Sequence, residues 1–143
     1  MRYNEVYWKD KDSRAARALY HKNRMQSLFE DEIKSSVNNT ILYRDNVYER
    51  NNIKNNSDLR HVFEVVNTDS VDAMFNYRKD RVCVLNFASH KEPGGRFLEG
   101  SKAQEECLCH SSFLYNVLSN IPEHYETNKK ALNKALYTNS ALF

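Results

Sequence analysis

A short apolar run that ends in a glycine turn is the feature that most constrains the fold of this chain. Residues 82–88 are rich in strand-forming side chains, and Pro-Gly-Gly follows at residues 93–95. A short apolar run of this kind is typical of a strand that is buried on both faces of a parallel sheet. Gln-Glu-Glu at residues 104–106 then precedes apolar side chains at helical spacing. The segment therefore predicts a strand, a tight loop and a helix.

A second apolar run lies upstream and extends this segment to a βαβ unit. Residues 61–66 have the composition of a strand, and Asp69 or Ser70 is suited to cap a helix with apolar side chains at helical spacing. Two strands joined by a helix favour a parallel pair with a right-handed crossover. Ligands of open parallel sheets bind beyond the carboxyl ends of the strands, which places the expected site at residues 89–102. The expected fold class is α/β.

Residues 1–60 predict a helical extension that precedes this region. Ser13 is suited to cap an amphipathic helix that runs to about Val37, and residues 40–43 have the composition of a short strand. The Asn-rich residues 45–58 predict a solvent-exposed connection. Three aromatic side chains precede the helix: Tyr3, Tyr7 and Trp8. We expect them to tuck under the helix as core, which is more common than a membrane or partner patch.

The remaining residues predict further helices and a last strand. The helix after the glycine turn is expected to reach about Leu118 and to stop before Pro122. Residues 128–136 predict another helix, and a short strand is expected to end at Phe143. Residues 61–143 would then form the second unit of the chain, an α/β region.

Composition narrows the class of protein. With 143 residues, of which 41% are hydrophobic, the chain is long enough for one domain with a real core. The net charge of +2 carries no electrostatic footprint of DNA or RNA binding. No apolar run approaches the length of a membrane span, and no signal-like segment is present, so we expect a cytoplasmic protein without membrane contact. The histidines are scattered without ligand spacing, so neither a metal nor a cofactor is expected.

The three cysteines do not predict a site. Cys83, Cys107 and Cys109 are an odd number and lack the spacing of a disulfide framework or a zinc site, so we expect them to be reduced. Cys109 and His110 are neighbours on a predicted helix, where successive residues point about 100° apart and do not face each other. A structural role is therefore favoured over a nucleophilic Cys–His pair.

The glycine turn and the glutamate pair predict an anion-binding turn beside two carboxylates. A glycine turn that leads into a helix presents N–H groups and the positive end of a helix dipole, which suit a diphosphate. Glu105 and Glu106 complement the dipole of a first helical turn, a common structural use. Carboxylates can also act as general acids and bases. Since successive helical residues cannot flank one bond, a single carboxylate would have to serve as both acid and base.

These residues resemble the signature region of the bacterial-type poly(ADP-ribose) glycohydrolases. The pattern of that family is a glycine triplet, a short spacer and Gln-Glu-Glu. Here Gly-Gly-Arg at residues 94–96 takes the place of the triplet, residues 97–103 form the spacer, and residues 104–106 complete the pattern. The sequences at residues 66–71 and 110–115 also resemble the family's usual flanks. The resemblance covers roughly residues 62–137.

The resemblance implies a fold and an activity. The fold would be macrodomain-like, a parallel or mixed sheet with flanking helices. The activity would be hydrolysis of ribose–ribose bonds in ADP-ribose polymers, free or attached to modified proteins, without a cofactor. Glu106 would protonate the departing ribose oxygen and then take a proton from water, while Glu105 would hold ribose hydroxyls. The implied substrate-binding residues are Gly94, Gly95, Arg96, Phe97, Gln104 and Asn86.

Two departures from the family pattern leave alternatives open. Arg96 stands where the family has its third glycine, so it would bind phosphate, block the loop or be a solvated loop residue. Family members also continue beyond the point equivalent to Phe143, so we expect a partial, truncated catalytic region. The exposed sheet edge of such a region predicts a homodimer. The alternatives to hydrolysis are a module that binds ADP-ribose without cleaving it and an inactive remnant.

Overall fold

The computed structural model of the chain describes residues 6–44, 62–130 and 140–143, with the backbone alone for residues 6 and 7. The described part is mostly helical. Its helices are α1 Val6–Lys9, α2 Lys11–Leu28, α3 Glu30–Asn39, α4 Ser70–Asn76, α5 Gln104–Ser111, α6 Leu114–Leu118 and α7 Pro122–Lys130, with a 3-10 helix at Phe97–Glu99. Its strands are β1 Leu42–Tyr43 and β2 Ala141–Leu142. The predicted connection at residues 45–58, and the side chains of Tyr3 and Tyr7, lie outside these residues.

The amphipathic helix predicted near the N-terminus is two helices. Asp10, not Ser13, caps α2, and its Oδ2 accepts a hydrogen bond from the Ser13 N–H at 2.7 Å. The helix ends at Phe29, whose φ of −132° and ψ of 35° are not helical. Three consecutive acidic residues then begin α3, where negative charge complements the positive end of a new helix dipole. The prediction of a single helix to about Val37 was wrong, because the backbone leaves the helical conformation at Phe29 and a second helix begins at Glu30.

Helix α2 is fixed to the loop that follows the glycine turn. The Arg14 guanidinium is buried and donates from Nε to the Gly100 carbonyl at 2.6 Å and from Nη1 to the Trp8 carbonyl at 2.8 Å. Gly100 has a φ of +77°, and a Cβ there would collide with the Lys11 carbonyl, so a glycine is required. The Trp8 side chain is buried, which confirms the prediction that it is core.

The predicted parallel strands are not formed in the described residues. Residues 62–66 and 82–87 have no strand pairing, and the described sheet is the antiparallel pair β1–β2, in which Leu42 lies opposite Leu142. The Val65 side chain is 100% exposed and that of Leu85 is 72% exposed. A strand requires a neighbouring strand to bond its backbone, and no neighbouring strand pairs with these two segments within the described residues. The expected parallel or mixed sheet is therefore corrected to a mostly helical architecture.

The helix between those two segments is as predicted. Asp69 caps α4, and its Oδ1 accepts from the Val71 N–H at 2.9 Å and from the Asp72 N–H at 2.8 Å. An aspartate before an apolar helical pattern satisfies two otherwise unpaired amides of the first turn. This cap forms between neighbouring residues, so it does not depend on whether residues 62–66 and 82–87 pair with another strand.

The C-terminal helices are shorter and more numerous than predicted. Ser112 is extended and separates α5 from α6; its hydroxyl donates to the Leu108 carbonyl at 2.8 Å and accepts from the Leu114 N–H at 3.2 Å. Pro122 begins α7, since a proline needs no N–H at a first helical position. The helix predicted at residues 128–136 overlaps the end of α7, and its residues beyond 130 lie outside the described part. The strand predicted before Phe143 is confirmed as β2.

Candidate functional site

The glycine turn lies directly against the two glutamates at the start of α5. Gly95 has a φ of +60°, and a Cβ built on it would lie 2.6 Å from Glu106 Oε1 and 3.1 Å from Glu105 Oε2. Both the backbone conformation and the space therefore require a glycine. The two carboxylates meet on one side of the turn. The sequence expectation that the turn and the glutamate pair form one site agrees with this geometry.

The glycine turn packs against helices α5 and α6. Gly94 has a φ of +68°, and a Cβ there would lie 2.7 Å from Tyr115 Cδ2 and 3.2 Å from Cys109 Sγ. The ring of Phe97 is fully buried, with its centroid 4.7 Å from that of His110 and 5.2 Å from that of Tyr115. Phe97 thus faces the core and shapes the loop from below. Sequence analysis did not identify Tyr115 as a packing contact of the turn, because the two residues are 21 positions apart and meet only in the folded chain.

Glu105 is buried and held by hydrogen-bond donors from residues 86–89. Its side chain is 3% exposed, and its oxygens accept from the Ser89 N–H at 2.8 Å and from Asn86 Nδ2 at 3.2 Å. Burial raises the pKa of this carboxyl, hydrogen bonds from the Ser89 N–H, the Asn86 side chain and the Gly94 N–H oppose that shift, and the neighbouring charge of Glu106 adds to it. Sequence analysis missed Ser89 as a partner, since a backbone donor leaves no side-chain signal.

Glu106 has one oxygen bound and one without a partner. Oε1 accepts a hydrogen bond from the Arg96 N–H at 2.9 Å, while Oε2 is buried without a hydrogen-bond partner in the described residues. The side chain is 5% exposed. The carbonyl oxygen of the Asn86 side chain is likewise buried without such a partner. Buried polar atoms are nearly always hydrogen-bonded, so two unpartnered acceptors at one site call for an explanation such as a ligand.

Arg96 is compatible with its position in the turn. Its φ of −100° is ordinary for any residue, so the loss of the family's third glycine causes no backbone strain. The side chain is 73% exposed, and its Nε lies 3.7 Å from Glu99 Oε2. The guanidinium therefore extends from the turn toward solvent and lies near the Glu99 carboxylate. Its backbone N–H, by contrast, is part of the site because it binds Glu106.

The amides of the glycine turn are largely engaged within the protein. The Gly95 N–H donates to the Glu92 carbonyl at 3.0 Å, and the Arg96 N–H donates to Glu106. The sequence expectation assigned such amides to a diphosphate. In this structure the Gly95 N–H bonds within the turn, and the Arg96 N–H holds the carboxylate of Glu106.

Gln104 makes three hydrogen bonds to the protein. Its Oε1 accepts from the Phe87 N–H at 2.7 Å, and its Nε2 donates to the Leu85 carbonyl at 2.7 Å and to Ser70 Oγ at 3.2 Å. The side chain therefore joins the start of α5 to residues 85–87 and to α4. The expected substrate-binding residues Asn86, Gly94, Gly95 and Arg96 surround the glutamates, whereas Phe97 and Gln104 face the protein.

Cys109 and His110 do not form a nucleophilic pair. Cys109 lies under Gly94, and burial followed by the charges of Glu105 and Glu106 raises the pKa of its thiol. His110 lies against the rings of Trp8 and Phe97. Burial lowers the pKa of His110 to about 4, so the ring is neutral near pH 7. Both side chains are structural, as sequence analysis favoured.

Within residues 6–44, 62–130 and 140–143, no group of three or more His, Cys, Asp or Glu side chains is placed to hold a metal ion. None of the helices in these ranges combines the length and the apolar character that crossing a membrane requires.

Comparison with known proteins identifies the family. The family described as "Microbial-type PARG, catalytic domain" matches residues 11–143. The crystal structure of poly(ADP-ribose) glycohydrolase (PARG) from Thermomonospora curvata is similar to this structure, with a TM-score of 0.69 and 25% sequence identity over 92% of this chain and 54% of that chain. This chain thus spans about half of the solved protein. No curated protein sequence matches it. The chain belongs to the family of microbial-type PARG catalytic domains.

Proposed function

We propose that the chain hydrolyses ribose–ribose bonds of ADP-ribose polymers, with Glu106 as the acid and base. The observation that carries this proposal is the buried Oε2 of Glu106, which has no hydrogen-bond partner in the described residues. A protonated carboxyl at this atom has a hydrogen to donate to a departing ribose oxygen, and the resulting carboxylate accepts a proton from water. Oε1 is meanwhile held by the Arg96 N–H, which fixes the orientation of the reacting oxygen.

Glu105 holds the sugar in this proposal. Its carboxylate is fixed by Asn86 and the Ser89 N–H, and it lies beside Glu106 at Gly95. The Oδ1 of Asn86, which has no hydrogen-bond partner in the described part of the chain, is a second acceptor beside Glu105. Ribose hydroxyls are donors that match both groups.

The placement of the carboxylates supports a single acid and base. Glycosidases that use two carboxylates hold them about 5 Å or more apart, on opposite sides of the bond. Here an oxygen of each glutamate lies within 3.1 Å of one Cβ position on Gly95. Both carboxylates thus face the same side of the turn from adjacent positions on α5, and in this proposal Glu106 alone performs both proton transfers.

The diphosphate is assigned to the outer side of the turn. The exposed Arg96 guanidinium supplies positive charge beside the turn. A guanidinium binds phosphate oxygens through two parallel hydrogen bonds. The proposed ligand is therefore ADP-ribose or the terminal unit of its polymer.

A domain that binds ADP-ribose without cleaving it is the second candidate. It is favoured by the number of carboxylate oxygens that already accept hydrogen bonds from the protein. Both oxygens of Glu105 and one oxygen of Glu106 do so. Carboxylates that the protein holds in this way are suited to bind a sugar rigidly.

Calorimetric titration of ADP-ribose together with a polymer-hydrolysis assay tests the proposal. In the Glu106→Gln variant we expect affinity within a few-fold of wild type and a fall in turnover of about 100-fold or more. Glu126→Gln is the matched control, because it removes the same charge from an exposed side chain on α7. Binding without turnover in the wild-type chain supports the second candidate. Absence of both binding and turnover contradicts both candidates.

A further inference from the structure

The side-chain amide of Gln104 bonds to the backbone on both sides of Asn86. The Phe87 N–H donates to its Oε1, and its Nε2 donates to the Leu85 carbonyl, each at 2.7 Å. These partners fix the orientation of the amide, because an N–H requires the oxygen and a carbonyl requires the nitrogen. The second hydrogen on Nε2 is directed to Ser70 Oγ. Both hydrogens of the amide nitrogen are therefore used within the protein.

Gln104 takes the place of a neighbouring strand at this point. In a parallel ladder, a residue on one strand bonds the carbonyl before and the N–H after the residue opposite it. Those two groups flank Asn86 here, and Gln104 bonds them both. No strand pairs with residues 82–87 among the described residues. The Gln104 amide thus supplies two hydrogen bonds of the kind that a neighbouring strand would otherwise provide.

Residues 85–89 carry two of the donors that hold Glu105, and the third is the Gly94 N–H. The Asn86 side chain lies between the two residues that Gln104 binds, and Ser89 follows two residues after Phe87. Release of the segment would remove these two donors from Glu105 and displace the side-chain oxygen of Asn86. Gln104 therefore acts on the site through the backbone of residues 85–89.

We propose that Gln104 is a positioning residue, a clamp that holds Asn86 and Ser89 against Glu105 without touching the ligand itself. Its effect on catalysis or affinity rests on the proposed function, whereas its effect on the segment does not. The proposal differs from the sequence expectation, which assigned Gln104 to direct contact with substrate. The two roles predict different behaviour of the backbone.

Hydrogen exchange of backbone amides, measured by NMR, distinguishes these roles. Gln104→Met keeps the length of the side chain and removes the hydrogen bonds. We expect the Phe87 and Ser89 amides to exchange about ten-fold faster or more, since a segment held by few bonds opens readily. Amides within α2, such as that of Ala18, are expected to be unchanged. Gln26→Met is the matched control, because Gln26 is the other glutamine of the chain and this variant also loses a side-chain hydrogen bond, from Asn116 Nδ2 to Gln26 Oε1, that does not involve residues 85–89.

Titration of ADP-ribose into the same variants completes the test. A clamp predicts that Gln104→Met binds about ten-fold more weakly or worse, in parallel with the faster exchange of Ser89. Unchanged exchange with weakened binding would show that Gln104 contacts the ligand, and would overturn the proposal. If the wild-type chain does not bind ADP-ribose, the proposed function fails, while the exchange data still decide on the clamp.

A measurement on the wild-type chain keeps the test valid if Gln104→Met does not fold. The chain contains two glutamines, so its NMR spectrum holds two pairs of Gln side-chain amide protons. The clamp predicts that the Nε2 protons of Gln104 exchange at least about ten-fold more slowly than those of the exposed Gln26. Equal, fast exchange of both pairs would contradict it.

Discussion

The backbone N–H of Arg96 donates to Oε1 of Glu106 at 2.9 Å, while the Arg96 side chain extends into solvent. One residue therefore contributes to the site in two separable ways. The backbone fixes the proposed acid and base, and this contribution does not depend on the side chain. The guanidinium is exposed and lies near the Glu99 carboxylate, and its proposed role is to bind a ligand phosphate.

Substitution of Arg96 separates these contributions. We expect Arg96→Ala to change the free energy of unfolding by less than about 0.5 kcal/mol, because the side chain is on the surface. Affinity for ADP-ribose is expected to fall about ten-fold, and Arg96→Lys is expected to restore it only in part, since an ammonium cannot bind two oxygens in parallel. Calorimetry with ADP-ribose and urea unfolding measure the two effects. Equal affinity of Arg96→Ala and wild type would show that the guanidinium is merely solvated.

Substitution of Gly95 tests the approach of the turn to the glutamates. In Gly95→Ala, the new methyl group meets Glu106 Oε1 and Glu105 Oε2, and the left-handed backbone adds about 1–2 kcal/mol of strain. We expect lower stability and loss of detectable ADP-ribose binding. Urea unfolding and calorimetry measure these outcomes. Ser101→Ala is the control in the same loop, and retained binding in Gly95→Ala would mean that the turn does not need to approach so closely.

Local chemistry was predictable from the sequence. The Asp69 cap, the glycine turn and the glutamates at the start of α5 each depend on residues within a few positions of one another. A short side chain before a helix satisfies its first amides, and adjacent glycines permit positive φ. Sequence analysis therefore predicted the local structure of the cap, the turn and the start of α5, and the structure brings the turn and the glutamates together.

Non-local relationships were not predictable in the same way. The apolar runs at residues 62–66 and 82–87 have the composition of strands, but a strand depends on a partner that the run itself does not specify. The bonds of Gln104 to Leu85 and Phe87 also join residues far apart in the chain. No pattern in the sequence signals that a glutamine amide would replace a neighbouring strand.

The buried Arg14 is expected to couple α2 to the loop. Arg14→Met keeps the aliphatic stem and removes the hydrogen bonds to the carbonyls of Gly100 and Trp8. We expect a loss of about 2–4 kcal/mol in the free energy of unfolding, because two buried carbonyls lose a charged donor. Arg14→Lys should rescue little, since one ammonium cannot occupy both donor positions. Urea unfolding measures the loss, and Arg24→Lys on the exposed side of α2 is the matched control.

Stability is expected to depend on pH through His110. Burial lowers the pKa of this side chain from 6.5 to about 4 in the folded state. The unfolded chain therefore binds a proton first as the pH falls below 6.5, and stability declines between about pH 6.5 and pH 4. The full difference corresponds to about 3 kcal/mol. Well above pH 6.5 the ring is neutral in both states and contributes no pH dependence.

Comparison of wild type with His110→Phe isolates this contribution. Glu105 acts in the opposite direction, because a raised pKa makes the folded state bind protons more readily as the pH falls. Both proteins contain Glu105, so its contribution cancels in the difference between their free energies of unfolding. We expect that difference to be constant well above pH 6.5 and to shift by up to about 3 kcal/mol in favour of His110→Phe by pH 4. Phenylalanine preserves an aromatic ring between Trp8 and Phe97, so packing is retained. A difference that does not change with pH would show that His110 titrates normally in the folded chain.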